Sequence, residues 1–148
     1  MLTGRSMAKT LEELPLYQEV RRFSDEVTAI LQTPALRTNR KLCEQIEEAL
    51  ESIGSNLKEG FEAPSDKAFE NFVFIAKGST AEVLDRLAQA KRKGKISDDQ
   101  YRRAVALGEP LGRMMGGFIK YLAKCGFTDR GRHGVAPTPP RPFSRPRK

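Results

Sequence analysis

The sequence predicts an all-α protein: an antiparallel, up-down-up-down four-helix bundle over residues 11–126, with a disordered basic C-terminal tail over residues 127–148. Three observations predict it. Apolar residues recur every three or four positions in four long stretches, the period of a helix with one buried face. Only a few residues separate these stretches, and they carry Pro, Gly or a capping side chain, so consecutive helices should lie antiparallel. No convincing β-strand pattern remains between them.

The first helix is expected over Pro15–Gln32. Pro15 suits a first turn, where its missing N–H does no harm. Leu16, Val20, Phe23, Val27, Ile30 and Leu31 form its stripe, and Thr33-Pro34 ends it. The second is expected over Thr38–Gly60, with Leu42, Ile46, Ala49, Leu50, Ile53 and Leu57 inward. Gly60 is a plausible stop, and Ala63-Pro64 disfavours continuation. The third is expected over Ser65–Lys93. Ser65 is the candidate cap and Asp66 favours the positive helix end. Phe69, Phe72, Val73, Ala76, Thr80, Val83, Leu87 and Ala90 line one side, and Lys91-Arg92-Lys93-Gly94 reads as a helix end. The fourth starts at Ser97-Asp98-Asp99-Gln100, which fits the capping box S-x-x-Q. It is expected to end near Cys125, before Gly126, with a kink at Pro110.

Charge separates the bundle from the tail. The chain of 148 residues carries a net +7. Residues 127–148 hold six of its Lys and Arg against Asp129 alone, together with five of its nine prolines. The bundle is therefore nearly balanced, and a Pro-rich basic tail of this kind is expected to be disordered. No apolar run approaches the roughly 18 residues of a membrane span. The first seven residues lack the apolar centre of a secretion signal, and Met7 is an alternative start, so the expected compartment is the cytoplasm. Cys43 and Cys125 should lie near opposite ends of the bundle, too far apart for a disulfide.

The stretch Phe74–Leu84, FIAKGSTAEVL, holds Gly and Ser in the middle of the third helix. A mid-helix Gly costs about 1 kcal/mol relative to Ala. One explanation is a close crossing with the small residues Gly54-Ser55 of the second helix. Asn56, Glu59, Ser79 and Glu82 would then join Gly78 in a polar cluster at that crossing. The competing explanation leaves Glu59 and Glu82 as ordinary solvated residues. A phosphate-binding loop is excluded, because that motif needs Gly before Lys, between a strand and a helix.

Three further motifs, taken in order, carry a resemblance. Asn56–Glu62 (NLKEGFE), Ala76–Leu87 (AKGSTAEVLDRL) and Gly94–Tyr101 (GKISDDQY) resemble the four-helix-bundle proteins found in intervening sequences of large-subunit ribosomal RNA genes. Leu11–Phe23 and Leu111–Leu122 are similar to that family's first and last helices, so the resemblance spans about residues 11–125. It implies a compact antiparallel bundle that assembles into homopentamers. A related branch, the accessory variability determinants of diversity-generating retroelements, implies partnership with a reverse transcriptase and with RNA or DNA. The chain departs from the family pattern in placing Glu47-Glu48 after Gln45-Ile46, where basic residues are usual, and Gly54-Ser55 where Pro is usual before the Asn motif.

Catalysis has little support in the residues. His133, the only histidine, falls in the expected tail, and a general base needs fixed geometry. The pairs Glu47-Glu48 and Asp98-Asp99 read as a solvated face and a helix cap, and no Cys/His/Asp set has metal-ligand spacing. The expectation is a non-enzymatic protein without cofactor or metal. Nucleic-acid binding is the stronger candidate. Up-down topology sets Lys91, Arg92, Lys93 and Lys95 beside Arg37, Arg40 and Lys41, with Arg102 and Arg103 nearby. Such a rim contacts phosphates without reading sequence, and oligomerisation would multiply it. The bland alternative is that these cations complement helix C-termini and keep the protein soluble. The rival function is a protein-interaction or structural module, suggested by the wide apolar face of the fourth helix around Met114, Met115, Gly116 and Gly117.

Overall fold

A computed structural model of the chain describes residues 9–133, with side chains described through Lys124. A 3-10 turn at Leu11–Glu13 precedes five α-helices: α1 (Pro15–Leu31), α2 (Pro34–Arg37), α3 (Arg40–Phe61), α4 (Asp66–Arg92) and α5 (Asp98–His133). No strand occurs among the described residues. The four long helices are those expected from the apolar period, and the differences lie at their ends.

Local chemistry sets those ends. Pro15 and Pro34 each occupy the first turn of a helix. Thr33-Pro34 therefore closes α1 and also opens the single turn of α2, a start that reading Pro only as a stop conceals. α3 begins later than expected, at Arg40, because Asn39 accepts a hydrogen bond from the Leu42 amide at 3.1 Å and caps it. Ser65 caps α4 through the Ala68 amide at 3.1 Å. The capping box of α5 closes in both directions. The Gln100 amide donates to Ser97 Oγ at 3.0 Å, and the Ser97 amide donates to Gln100 Oε1 at 2.8 Å.

The end of α5 corrects an expectation. The helix runs unbroken through Pro110 and past Gly126, so residues 127–133, His133 included, are helical. The rest of the expected tail, residues 134–148, lies outside the described residues.

The core fills the space between the stripes. Phe23, Val27, Ile46, Ile53, Phe69, Val73, Val83 and Leu87 are fully buried, and Leu111, Met115 and Leu122 meet them from α5. Each such side chain contributes roughly 1.5–3 kcal/mol by leaving water. The Phe69 ring stands edge-on to Phe118, centroids 5.3 Å apart, and to Phe61 at 6.1 Å. α4 packs along both α3 and α5, and α5 packs along α1.

The close approach of helices is not at Gly78. Space around Gly78 and Gly54 is open: a Cβ on either would meet nothing within 4 Å. The tight places are Gly60, where a Cβ would stand 2.6 Å from Phe69 Cδ1, and Gly108, where it would stand 2.8 Å from Phe23 Cε1. The glycines that let α4 meet α3, and α5 meet α1 and α4, are these two.

Candidate nucleic-acid interface

Two turns of chain meet at one end of the molecule. The first is the end of α4. Gly94 has φ +72°, which only glycine adopts without strain. The Lys95 amide donates to Ala90 O at 2.9 Å and the Gly94 amide to Lys91 O at 3.0 Å. This pair of bonds is a Schellman motif, which stops the helix and fixes the direction of the following residues. Buried Ile96 then anchors the turn in the core.

The second is the α1–α2–α3 connection. Thr38 Oγ1 donates to Ala35 O at 2.6 Å, and Arg37 reaches the Leu31 carbonyl at 3.5 Å and Glu47 at 3.4 Å. Lys95 Nζ donates to Thr38 Oγ1 at 3.1 Å, and Gln100 Nε2 donates to Thr33 Oγ1 at 2.9 Å. These two bonds join the turns. They bring the group Arg37, Arg40 and Lys41 together with Lys91, Arg92, Lys93 and Lys95. The sequence marks Thr33 and Thr38 only as helix boundaries and Gln100 only as a cap, because nothing local shows that a threonine will accept a hydrogen bond from a distant turn.

The nine expected cations then divide by their partners. Arg37 pairs with Glu47. Lys91 pairs with Asp98 at 3.3 Å and lies over the Tyr101 ring at 4.9 Å. Arg102 pairs with Asp98 at 2.8 Å and Asp99 at 3.6 Å, and Arg103 pairs with Asp99 and with Glu26 of α1 at 3.2 Å. Arg102 and Arg103 thus serve to hold the start of α5. Arg40, Lys41, Arg92 and Lys93 are exposed and have no carboxylate partner among the described residues.

Arg40 and Lys41 stand apart from the other cations of the rim. Cations near a helix C-terminus are favoured by the macrodipole, which accounts for Lys91 and Arg92. Arg40 and Lys41 instead open α3, at the positive end of its dipole, with no acidic residue in that turn. There each cation is unfavourable by a few tenths of a kcal/mol. Helix capping does not account for them.

The second candidate set comes apart. Ser79 Oγ donates to Ser52 Oγ at 2.8 Å across α3 and α4, and Asn56 Nδ2 reaches Ser52 O at 2.8 Å and Ser52 Oγ at 3.0 Å. The cluster is therefore Ser52, Asn56 and Ser79. Glu59 and Glu82 are exposed, with Glu82 facing Arg86 at 3.8 Å, and Gly78 is exposed on the outer side of α4. Their expected membership is corrected: one turn of helix places each carboxylate outside the contact that Ser79 makes. Cys43 is buried and its Sγ donates to Leu36 O at 3.2 Å. Burial pushes its thiol above the ordinary value of 9.0; Arg37 opposes this, and Glu47 and Glu44 add to it.

Among the described residues no group of three His, Cys, Asp or Glu side chains is placed to hold a metal ion, and no helix is long and apolar enough to cross a membrane.

Residues 12–117 match the family model of the 23S rRNA-intervening sequence protein. The chain belongs to that family. The matched span takes in every cation of the rim and the Ser52–Asn56–Ser79 contact, and it ends within α5. In this 23S rRNA-intervening sequence protein the last turns of α5 lie beyond the family match. No curated protein and no solved structure matches the chain.

Proposed function

We propose that this 23S rRNA-intervening sequence protein is a non-enzymatic bundle that holds the backbone of RNA or DNA on the end formed by the α4–α5 turn and the start of α3. The observation that carries the reading is Arg40 and Lys41 at the unfavourable end of a helix dipole, beside Arg92 and Lys93, which have no carboxylate partner among the described residues. Polyanionic phosphate relieves that placement, and surface lysines and arginines read no sequence by doing so. Service to a reverse transcriptase, which the resemblance implies, would use the same end.

The topology behind the reading is an up-down-up-down four-helix bundle. Its support is the order of contacts: Gly60 beside Phe69 and Ser52 beside Ser79, Lys91 beside Tyr101 and Phe69 beside Phe118, Glu26 beside Arg103 and Phe23 beside Gly108. In each helix pair, residue numbers rise on one side as they fall on the other.

Salt-dependent binding of a fluorescent single-stranded RNA tests the function. Each phosphate contact adds about 0.7 to the slope of log affinity against log salt. Neutralising Arg40, Lys41, Arg92 and Lys93 to Gln should lower that slope by up to about 3 and weaken binding at low salt. A chain ending at His133, which lacks the cations of residues 134–148, should keep most of the slope. No binding at low ionic strength, or a slope indifferent to the four substitutions, overturns the reading. A protein-interaction module is the second reading, favoured by two exposed apolar side chains, Phe74 and Met114.

A further inference from the structure

A groove of about 330 Å³ lies between the start of α1 and the second half of α5. Leu14, Pro15 and Leu16 form one wall, and Met114, Phe118 and Tyr121 the other. The rings of Phe118 and Tyr121 stack, with centroids 6.1 Å apart and planes 16° from parallel. Gly117 leaves room between the walls, since a Cβ there would meet nothing within 4 Å. No charged residue lines the groove, so it offers nothing to phosphate. It also lies at the opposite end of α1 from the cationic rim. Exposed Glu12 and Glu13 directly precede Leu14, and neither pairs with a Lys or Arg side chain among the described residues.

Residues 134–148 lie outside the described residues, but their sequence has a period of three. In a polyproline II helix three residues make one turn, so residues three apart share a face. Pro137, Pro140, Phe143 and Pro146 fall on one such face, which is wholly apolar. Thr138, Arg141, Ser144 and Arg147 fall on another, which is wholly polar. Pro-rich segments of this kind dock in grooves lined by aromatic residues. We propose that residues 137–146 fold back along α5 and lay their apolar edge in the α1–α5 groove of the same chain. The lengths agree. Fifteen residues of helix separate Phe118 from His133, a rise of about 22 Å. With residues 134–136 reversing the chain, the seven residues 137–143 cover about 22 Å in polyproline II form. Phe143 then stands level with Phe118. Arg141 and Arg145 flank it and carry their charges past Glu12 and Glu13, which attract them. Proline fixes φ near the docked value, so little freedom is lost on seating. A short connection holds the segment at an effective concentration of about 1 mM, so a contact that binds a free peptide at about 100 μM is closed about nine-tenths of the time. The contact is independent of nucleic-acid binding, which uses the other end of the bundle.

Fluorescence of the full chain tests it, with circular dichroism confirming that each variant is folded. The chain has no tryptophan, so Phe143→Trp introduces a single reporter. Its emission should be blue-shifted, and its quenching by acrylamide should fall by up to about tenfold relative to that of Lys148→Trp, in step with the closed fraction. Met114→Lys with Gly117→Gln fills the groove and sets a charge in it, at two exposed positions that the helix tolerates. Added to Phe143→Trp, this pair should restore full quenching. An indole as accessible as that of Lys148→Trp, or shielding that survives the groove substitutions, overturns the proposal. So does shielding that is lost on dilution, which would seat the segment on a second copy.

Discussion

Gly60 and Gly78 belong to the same pair of packed helices and meet opposite surroundings. A Cβ on Gly60 of α3 would stand 2.6 Å from Phe69 Cδ1 and 2.9 Å from Phe72 Cβ, while one on Gly78 of α4 meets nothing within 4 Å. The difference is one of phase. Gly60 is three residues after Leu57 and seven after Ile53, in line with a buried stripe. Gly78 is two residues from both Ala76 and Thr80, about 200° around the helix from either, and so faces outward. A glycine inside a helix marks a close crossing only where it shares the arc of the apolar residues.

Gly60→Ala is expected to have the largest effect. The added methyl overlaps Phe72 Cβ, which is bound to the backbone of α4 and cannot rotate away. The helices must separate, at a cost of about 3 kcal/mol. Urea unfolding should show that loss as a lower midpoint, a large share of the 5–15 kcal/mol typical of a domain. A midpoint near that of the parent would mean that α3 and α4 are less closely packed at this point.

Gly108→Ala comes next. Its methyl would meet Phe23 Cε1 at 2.8 Å and the Leu84 methyls at 3.0 Å, the far ends of side chains. These can give by a few tenths of an ångström, and the helix gains about 1 kcal/mol in propensity. A net loss of about 1 kcal/mol is expected by the same assay. A loss as large as that at Gly60 would show that Phe23, fully buried, has no second position.

What was legible in the sequence was what chemistry within one turn decides. Ser65, the box of Ser97 and Gln100, and the stop at Gly94 all lie where their hydrogen bonds predict, and the stripes named the core. Less legible were features that depend on a second segment. Ser52 became the partner of Ser79 only once α3 and α4 had a register, and Lys95 met Thr38 only once two turns shared an end. The candidate rim was legible as a set of cations. Its division was not, because whether Arg102 contacts water or Asp98 is a matter of three-dimensional position. Gly126 failed as a stop for a local reason: glycine ends a helix by adopting positive φ, and among the described residues Gly94 is the one that does so.

Gly78→Ala should act in the opposite direction from Gly60→Ala. With open space around it, the methyl removes backbone freedom from the unfolded chain and meets no obstacle. A gain of about 0.8 kcal/mol is expected. A loss instead would place a neighbour against the outer side of α4, and its concentration dependence would tell whether that neighbour is a second copy.

The smallest effect concerns Cys43 and appears only in alkaline solution. Burial raises the thiol's pKa in the folded chain above 9.0, the value taken for the unfolded one. The folded state therefore holds the proton more tightly. Its contribution is fully present below pH 9 and declines as pH rises from there toward the folded value, because the unfolded thiol ionises first. In a Cys125→Ser background, the stability advantage of Cys43 over Cys43→Ala should be constant from pH 6 to 8 and narrow above about 9. Arg37, which pairs with Glu47 and favours the thiolate, limits how far in pH the decline extends. Arg37→Gln removes that support, so the narrowing should continue to higher pH. A gap that does not change with pH would mean that the thiol ionises as readily in the folded chain as in the unfolded one, and that the contact with Leu36 O does not shield it.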